Sequence, residues 1–261
     1  MALITEKTLR QLWTKQKLDK EFMIHEGDVL TPAARDFLTE RNILVRKNNL
    51  IKKEEVPEFM IPVGVSNRHA HLSETHFKKL FGEGALLKEW KTLSQPGQFA
   101  ASETVTIVGP AGVIRNVRIL GPFRNETQIE ISRTDGFVLG VHPPVRLSGS
   151  IDGTPGITIV GPRGSVTIES GLIVAKNHVH MSGKDAEIHQ INHGDTLTLA
   201  SKKRAVIFQQ VIVRVKDSYC LDFHIDQDEA NAAGLVTGDV VRVVGKNGRI
   251  FSPFLGVDDN G

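Results

Sequence analysis

The chain has 261 residues, enough for one large or two modest domains with a buried core. Its 32 basic and 30 acidic side chains nearly cancel, which excludes a global field suited to nucleic acid and leaves only local charge for a phosphorylated ligand. A hydrophobic fraction of 40% and a charged fraction of 24% fit an ordinary soluble protein, and no apolar run nears the roughly 18 residues of a membrane-spanning helix. One cysteine, Cys220, rules out an internal disulfide and fits a reducing compartment. Because "MALITEKTLRQLWTKQKLDK" carries no secretory h-region, the expectation is a cytoplasmic protein without a membrane partner.

In chain order, residues 5–17 read as a helix that Thr5 caps, with Leu9, Leu12 and Trp13 on one face. "LTPAARDFLTERNILV" reads as a second helix, with Thr31 as cap and Pro32 at the first helical position. "RKNNLIKKEEVPEF" then reads as a linker, so residues 1–55 form a helical extension, either a docking appendage or a separate module. From residue 58 onward, short β-branched runs take over, among them "MIPVGVS", "TVTIVG", "TQIEIS", "LIVAKN", "YCLDFHI" and "DVVRVVG". Only "SETHFKKLFG", "GKDAEIHQI" and "DQDEANAAG" look helical in that region. Many short strands and few helices predict a mainly β protein of small barrels or sandwiches.

The β region repeats itself. "NRHAHLSETHFKKLFG" parallels "NHVHMSGKDAEIHQIN", "TQIEISRTD" parallels "CLDFHIDQDE", and "PVRLSG" parallels "VVRVVG". The first copy is the longer one and holds the insertion "LKEWKTLSQPGQFAAS", whose polar, glycine-bearing loop suggests a lid or ligand contact. Residues i and i+2 of a strand share a face, so each His-x-His aims two imidazoles at one point. An isolated His-x-His is more often plain strand surface, but here the alignment sets Glu130 opposite His224 and gives each copy a third donor. The triplets are His69, His71, Glu130 and His178, His180, His224. Three protein ligands with a position left open is the pattern of catalytic rather than structural zinc. Arg124, in a Gly-Pro turn six residues before Glu130, reads equally as a phosphate-gripping guanidinium or as a loop arginine. Ser73 and Ser182 read as helix caps, His25, His76, His142, His189 and His193 as bystanders, and Cys220 as a buried small hydrophobe in a strand.

"SNRHAHLS", "GPFRNETQIEIS" and "NHVHMS" followed by "DFHID", in that order, resemble the phosphate propanoyltransferase family of bacterial microcompartments, the PduL-type phosphotransacylases, over residues 58–257. The resemblance implies exchange of CoA for phosphate on a short acyl group, acetyl or propanoyl. It implies two zinc ions between two β-barrels, one held by His69, His71 and Glu130, the other by His178, His180 and His224. It further implies that Arg124 binds phosphate, that Ser148 in "VRLSGS" lies beside it, and that Gln95 and Gln98 of the inserted loop contact CoA. Barrels and repeats would not coincide. Residues 58–67 with 176–257 would make the first barrel, and residues 68–175 the second, with a lid-like insertion near 86–102. A homodimer inside a microcompartment is expected, with residues 1–55 either meeting shell or core proteins or serving as a plain docking appendage.

The chemistry needs no protein nucleophile, so the expectation is direct attack of phosphate on the thioester in a ternary complex. The alternatives are a metal-dependent hydrolase, which would need the regular strand–helix alternation of a (β/α)₈ barrel, and a non-catalytic β-barrel binding module with structural metal. A carboxylate in only one triplet further suggests that the three-imidazole zinc is the stronger electrophile.

Overall fold

The computed structural model describes residues 2–15, 18–25, 27–48 and 59–251. Two compact units divide at residue 57.

The first unit carries both expected helices and adds strands. Strand β1 (Leu3–Ile4) leads into α1 (Glu6–Thr14), followed by β2 (Glu21–His25), β3 (Val29–Leu30), α2 (Pro32–Glu40) and β4 (Leu44–Asn48). Thr5 and Thr31 cap the helices through their side chains, and Pro32 opens α2. The unit is therefore α/β rather than purely helical: β1 pairs with β3 and β2 with β4, all parallel. Ile4, Leu9, Ala34, Phe37, Leu38 and Ile43 form its core. The second helix stops at Glu40 because "NILVRKN" leaves the helical path at Asn42, which has φ 53°, and continues as β4. Residues 16–17 of the first expected helix, most of the expected linker, and residues 252–257 lie outside the described residues.

The second unit opens with β5 (Met60–Ser66), β6 (His69–His71), α3 (Glu74–Phe81), β7 (Glu89–Thr92), β8 (Phe99–Val108), β9 (Val113–Gly121) and β10 (Gln128–Glu130). Then come α4 (Arg133–Leu139), β11 (Val145–Arg146), β12 (Ile157–Val160), β13 (Ser165–Ile168), β14 (Leu172–Ala175), β15 (His178–Met181) and α5 (Gly183–Ile188). The last elements are β16 (Thr196–Ala200), β17 (Ile207–Val215), β18 (Asp222–Asp226), α6 (Gln227–Ala233), β19 (Val240–Lys246) and β20 (Arg249–Ile250). Ser73 and Ser182 cap α3 and α5 as expected. Helix α4 is an addition; its Ser132/Asp135 capping box and left-handed Gly140 are ordinary helix signals inside a stretch otherwise read as strand and turn.

The strands form two sheets. One runs β16-β17-β15-β18-β5-β19 and closes on itself through β16–β19, a six-stranded barrel around Ile61, Val63, Val179, Leu197, Val211, Val213, Phe223 and Val241. The other runs β11-β14-β10-β6-β9-β8-β12-β13 and stays open as a half-barrel around Ala70, Val105, Ile107, Val117, Ile119, Ile129, Ile159 and Leu172. Two barrels were expected, and the difference has a local cause. In the closed barrel the edge of β16 is taken by the seven-residue β19. The corresponding edge of β8 is taken by the hairpin β12–β13, and β11, with two residues, is too short to reach it. The halves also exchange strands. β5, just before the first His pair, runs parallel to β18 of the later copy, while β14, just before the second pair, runs parallel to β10 of the earlier one. The inserted segment is not all loop, since β7 pairs with the start of β8 and residues 93–98 form the turn between them.

Candidate metal centre

The first donor set is built by register. Antiparallel pairing of β6 with β10 puts Glu130 opposite His69 and Gln128 opposite His71, so all four side chains share one face. Nδ1 of His69 donates to the backbone oxygen of Asn67 at 2.8 Å, and its Nε2 lies 3.4 Å from Glu130 Oε2. Nε2 of His71 lies 3.8 Å from Glu130 Oε1 and accepts from Arg124 Nη2 at 2.8 Å. Glu130 Oε1 also accepts from Ser148 Oγ at 2.8 Å and from Gln128 Nε2 at 2.6 Å, while Arg124 Nη1 donates to Ser148 Oγ at 3.0 Å.

The second set repeats the plan on β15 and β18. His178 stands opposite His224 and His180 opposite Asp222. Nδ1 of His178 donates to the oxygen of Lys176 at 2.8 Å, two residues back as in the first set, and its Nε2 lies 2.9 Å from Nε2 of His180. Nε2 of His224 lies 2.9 Å from Asp222 Oδ2, which also accepts from Ser94 Oγ at 2.6 Å. The turn after β7 thus crosses to the other half of the unit. Its Gln95 donates to the backbone oxygen of Cys220 at 3.0 Å and accepts from the backbone nitrogen of Cys220 at 3.3 Å.

Charge follows from these contacts. Burial opposes the charged form of Glu130, but His69, His71 and Ser148 outweigh it and hold its carboxyl well below the usual range. Burial also works against His69, yet Glu130 and the Asn67 oxygen raise it overall. Burial and neighbouring His69 push His71 well below 6.5. Burial lowers His178 to about 4 and, with His178 beside it, His180 to about 2. These last two rings are neutral at pH 7. Neutrality leaves the lone pair of His178 Nε2 directed at His180 Nε2, and His180 Nδ1 is buried without a hydrogen-bond partner. Both donor sets fit a divalent metal: in each, one donor atom per residue lies within 4.8 Å of the others.

Both sets open on one cavity of about 580 Å³, also lined by Lys91, Gln98, Arg118, Arg124, Ser148 and Arg214. They are electrostatically close, for the charge of Glu130 acts on His178 and that of Arg214 on both Arg124 and His178. Arg124, Ser148 and Gln98 therefore meet the six candidate ligands at one place. Gln95 lines the cavity too, but it is 2% exposed and both ends of its amide are held by Cys220, so it also fastens the turn. Cys220 is exposed and sits just before β18 rather than inside a buried strand, because Gln95 takes its backbone groups where a strand would otherwise pair. His76 bonds Thr127, His189 stacks on Phe59, His142 meets Phe137 edge-on and His193 accepts from the Val215 nitrogen, all away from the cavity; the side chain of His25 lies outside the described residues. Gln128, Arg214 and Asp222 were not foreseen. The signal for Gln128 and Asp222 was available, since each stands two residues before a third donor, on the same strand face.

A duplicated β architecture with two metal-capable donor sets facing one cation-lined cavity defines an enzyme that handles anionic substrates. The model of the phosphate propanoyltransferase family matches residues 62–236. A phosphate propanoyltransferase of Thermotoga maritima is 57% identical over 186 residues, 70% of this chain and 89% of that protein. Those of Rhodopseudomonas palustris and Salmonella typhimurium are each 50% identical, covering 73% and 69% of this chain and 85% and 87% of those proteins. The chain belongs to the phosphate propanoyltransferase family and is an acyltransferase. Among the described residues no helix is long and apolar enough to cross a membrane.

Proposed function

We propose that the chain moves a short acyl group, acetyl or propanoyl, between CoA and phosphate at a two-zinc site, by direct attack in a ternary complex. The observation that carries this reading is the meeting of both donor sets with Arg124 and Ser148 on one cavity. His69, His71 and Glu130 would hold one ion, and His178, His180 and His224 the other. Bound there, the ions would supply electrophilic polarisation of the thioester carbonyl and charge stabilisation at the leaving sulfur.

The remaining work falls to side chains. Arg124 and Ser148, joined to each other at 3.0 Å, bind and orient phosphate, whose delocalised charge makes it a poor nucleophile in water. A phosphate oxygen attacks the carbonyl carbon, the C–S bond breaks, and CoA leaves as thiolate, to be protonated by solvent. Lys91, Arg118 and Arg214 give the cavity wall the positive charge that the CoA phosphates require, and Gln98 contacts the cofactor while Gln95 acts at one remove by holding the turn. Cys220 does not line the cavity, which supports a route without an acyl-enzyme. This reading treats residues 58–67 with 176–257 as one functional barrel and 68–175 as the other. The family likeness supports placement in a bacterial microcompartment as a homodimer, with the N-terminal unit meeting shell or core proteins; light scattering and co-purification test both.

The deciding experiment measures CoA release from acetyl-, propanoyl- and butanoyl-CoA with and without phosphate, with metal content determined on the same sample. Phosphate-dependent release with two metal equivalents is the expected result. Release that needs only water would mean a hydrolase, and a covalent acyl-enzyme would end the ternary mechanism.

A further inference from the structure

The residue two places before each third donor follows a rule of opposite polarity. Before Glu130, which can only accept, stands an amide donor: Gln128 Nε2 reaches Glu130 Oε1 at 2.6 Å. Before His224, which carries a ring N–H, stands an acceptor: Asp222 Oδ2 lies 2.9 Å from His224 Nε2. Asp222 is 4% exposed and is fixed from its other side by Ser94 Oγ at 2.6 Å, from the turn that crosses between halves. Space is reserved for the pair. A Cβ on Gly64 of the neighbouring β5 would stand 2.8 Å from Asp222 Oδ2 and 2.9 Å from His224 Cδ2.

We propose that Asp222 is a positioning residue that fixes the tautomer of His224. Its carboxylate can only accept, so the shared proton sits on Nε2 of His224 and the lone pair of the neutral ring sits on Nδ1. His178, whose Nδ1–H is held by the oxygen of Lys176, instead keeps its lone pair on Nε2. His224 is therefore the donor of opposite nitrogen, and Asp222 ties it to the crossing turn through Ser94.

The inference rests on the metal reading above, so its test has two arms. Long-range ¹H–¹⁵N correlation spectra of histidine-labelled protein, zinc-loaded and chelator-treated, should show His224 protonated on Nε2 in both. His224 protonated on Nδ1 in the loaded protein would overturn the proposal. In the second arm, cobalt(II) titrations are run in a His71→Ala background, to isolate the three-histidine set, and in a His180→Ala background, to isolate the other. Asp222→Ala should weaken the three-histidine set by about 10- to 100-fold and leave the other unchanged. Asp222→Asn, which keeps the shape but loses the charge-assisted bond, should fall between, and it decides the matter should the alanine variant fail to fold. Unchanged affinity, or equal weakening of both sets, overturns the proposal. Failure of the wild-type protein to bind metal at all would instead defeat the metal reading, and the chelator-treated spectra would still report the tautomer.

Discussion

In the set on β6 and β10 the third group is an anion, drawn into a web with Ser148, Gln128 and Arg124; in the set on β15 and β18 it is an imidazole, backed by Asp222. The backbone scaffold is common to both: antiparallel pairing of a His-x-His strand, and a first histidine held by the carbonyl two residues back. A duplicated frame thus carries two different electrostatic environments. On the proposed metal reading, a divalent ion beside Glu130 would keep about one net charge and one among three imidazoles about two, which would make the second the stronger electrophile. Arg124 and Ser148 bond into the Glu130 set, so the proposed reading would place phosphate in that half and thioester activation in the other.

The comparison breaks most visibly at the ligands. His71→Ala and His180→Ala should each remove one metal equivalent and lower activity by roughly a thousandfold, with far-UV circular dichroism unchanged. If both lose two equivalents, the sets are not independent. Arg124→Ala should cost about a hundredfold in kcat/KM and act chiefly on the phosphate KM, while Arg124→Lys recovers part of it; an effect confined to the acyl-CoA KM would contradict the assignment of halves.

Acidification of chelator-treated protein loads both sets, since His71, His178 and His180 are all held below 6.5. His178, held near 4 instead of 6.5, binds its proton more readily when unfolded, so stability falls as pH drops below 6.5 and the loss is complete near 4. That group alone withdraws about 3 kcal/mol, and His180, held near 2, extends the loss further. Glu130 has the same sense at lower pH: its depressed pKa adds stability above the usual carboxylate range and surrenders it as pH falls through the lower folded value. Chemical denaturation at pH 7, 5.5 and 4.5, with and without zinc, checks this. A metal-free protein as stable at pH 4.5 as at 7 would refute it.

Glu130→His tests the division directly by making the two sets alike, and should change the rate and its phosphate dependence on the order of tenfold; identical kinetics would mean the difference in charge has no role. Gln95→Ala should have the smallest effect, about 1–2 kcal/mol of stability from two hydrogen bonds to Cys220, with metal content retained.

The six candidate ligands were legible because a period of two is local and the duplication showed it twice. Gln128 and Asp222 obey the same period, but amides and carboxylates on a strand face are common, and only the neighbouring third donor gives them meaning. Arg214 was illegible, since it reaches the site through the pairing of β17 with β15 opposite His180, a register that no local pattern encodes. The same limit hid the open half-barrel, which depends on whether β12 or β11 takes the edge of β8. In the N-terminal unit the helix caps were plain, whereas β2 and β4, five-residue strands paired across a helix, have no alternation to reveal them.

The exchanged strand β5 also governs when the protein can exist. Val63 finds its partner Phe223 about 160 residues later, so the barrel that holds the three-histidine set cannot close until β18 has been made. Until then Ile61 and Val63, both destined for the core, remain uncovered and available to wrong partners. The half-barrel, whose strands all lie between residues 69 and 175, has no such wait. The pairings that build the Glu130 set are thus local to residues 69–175, whereas the strand made earliest in the catalytic unit waits for one of the latest.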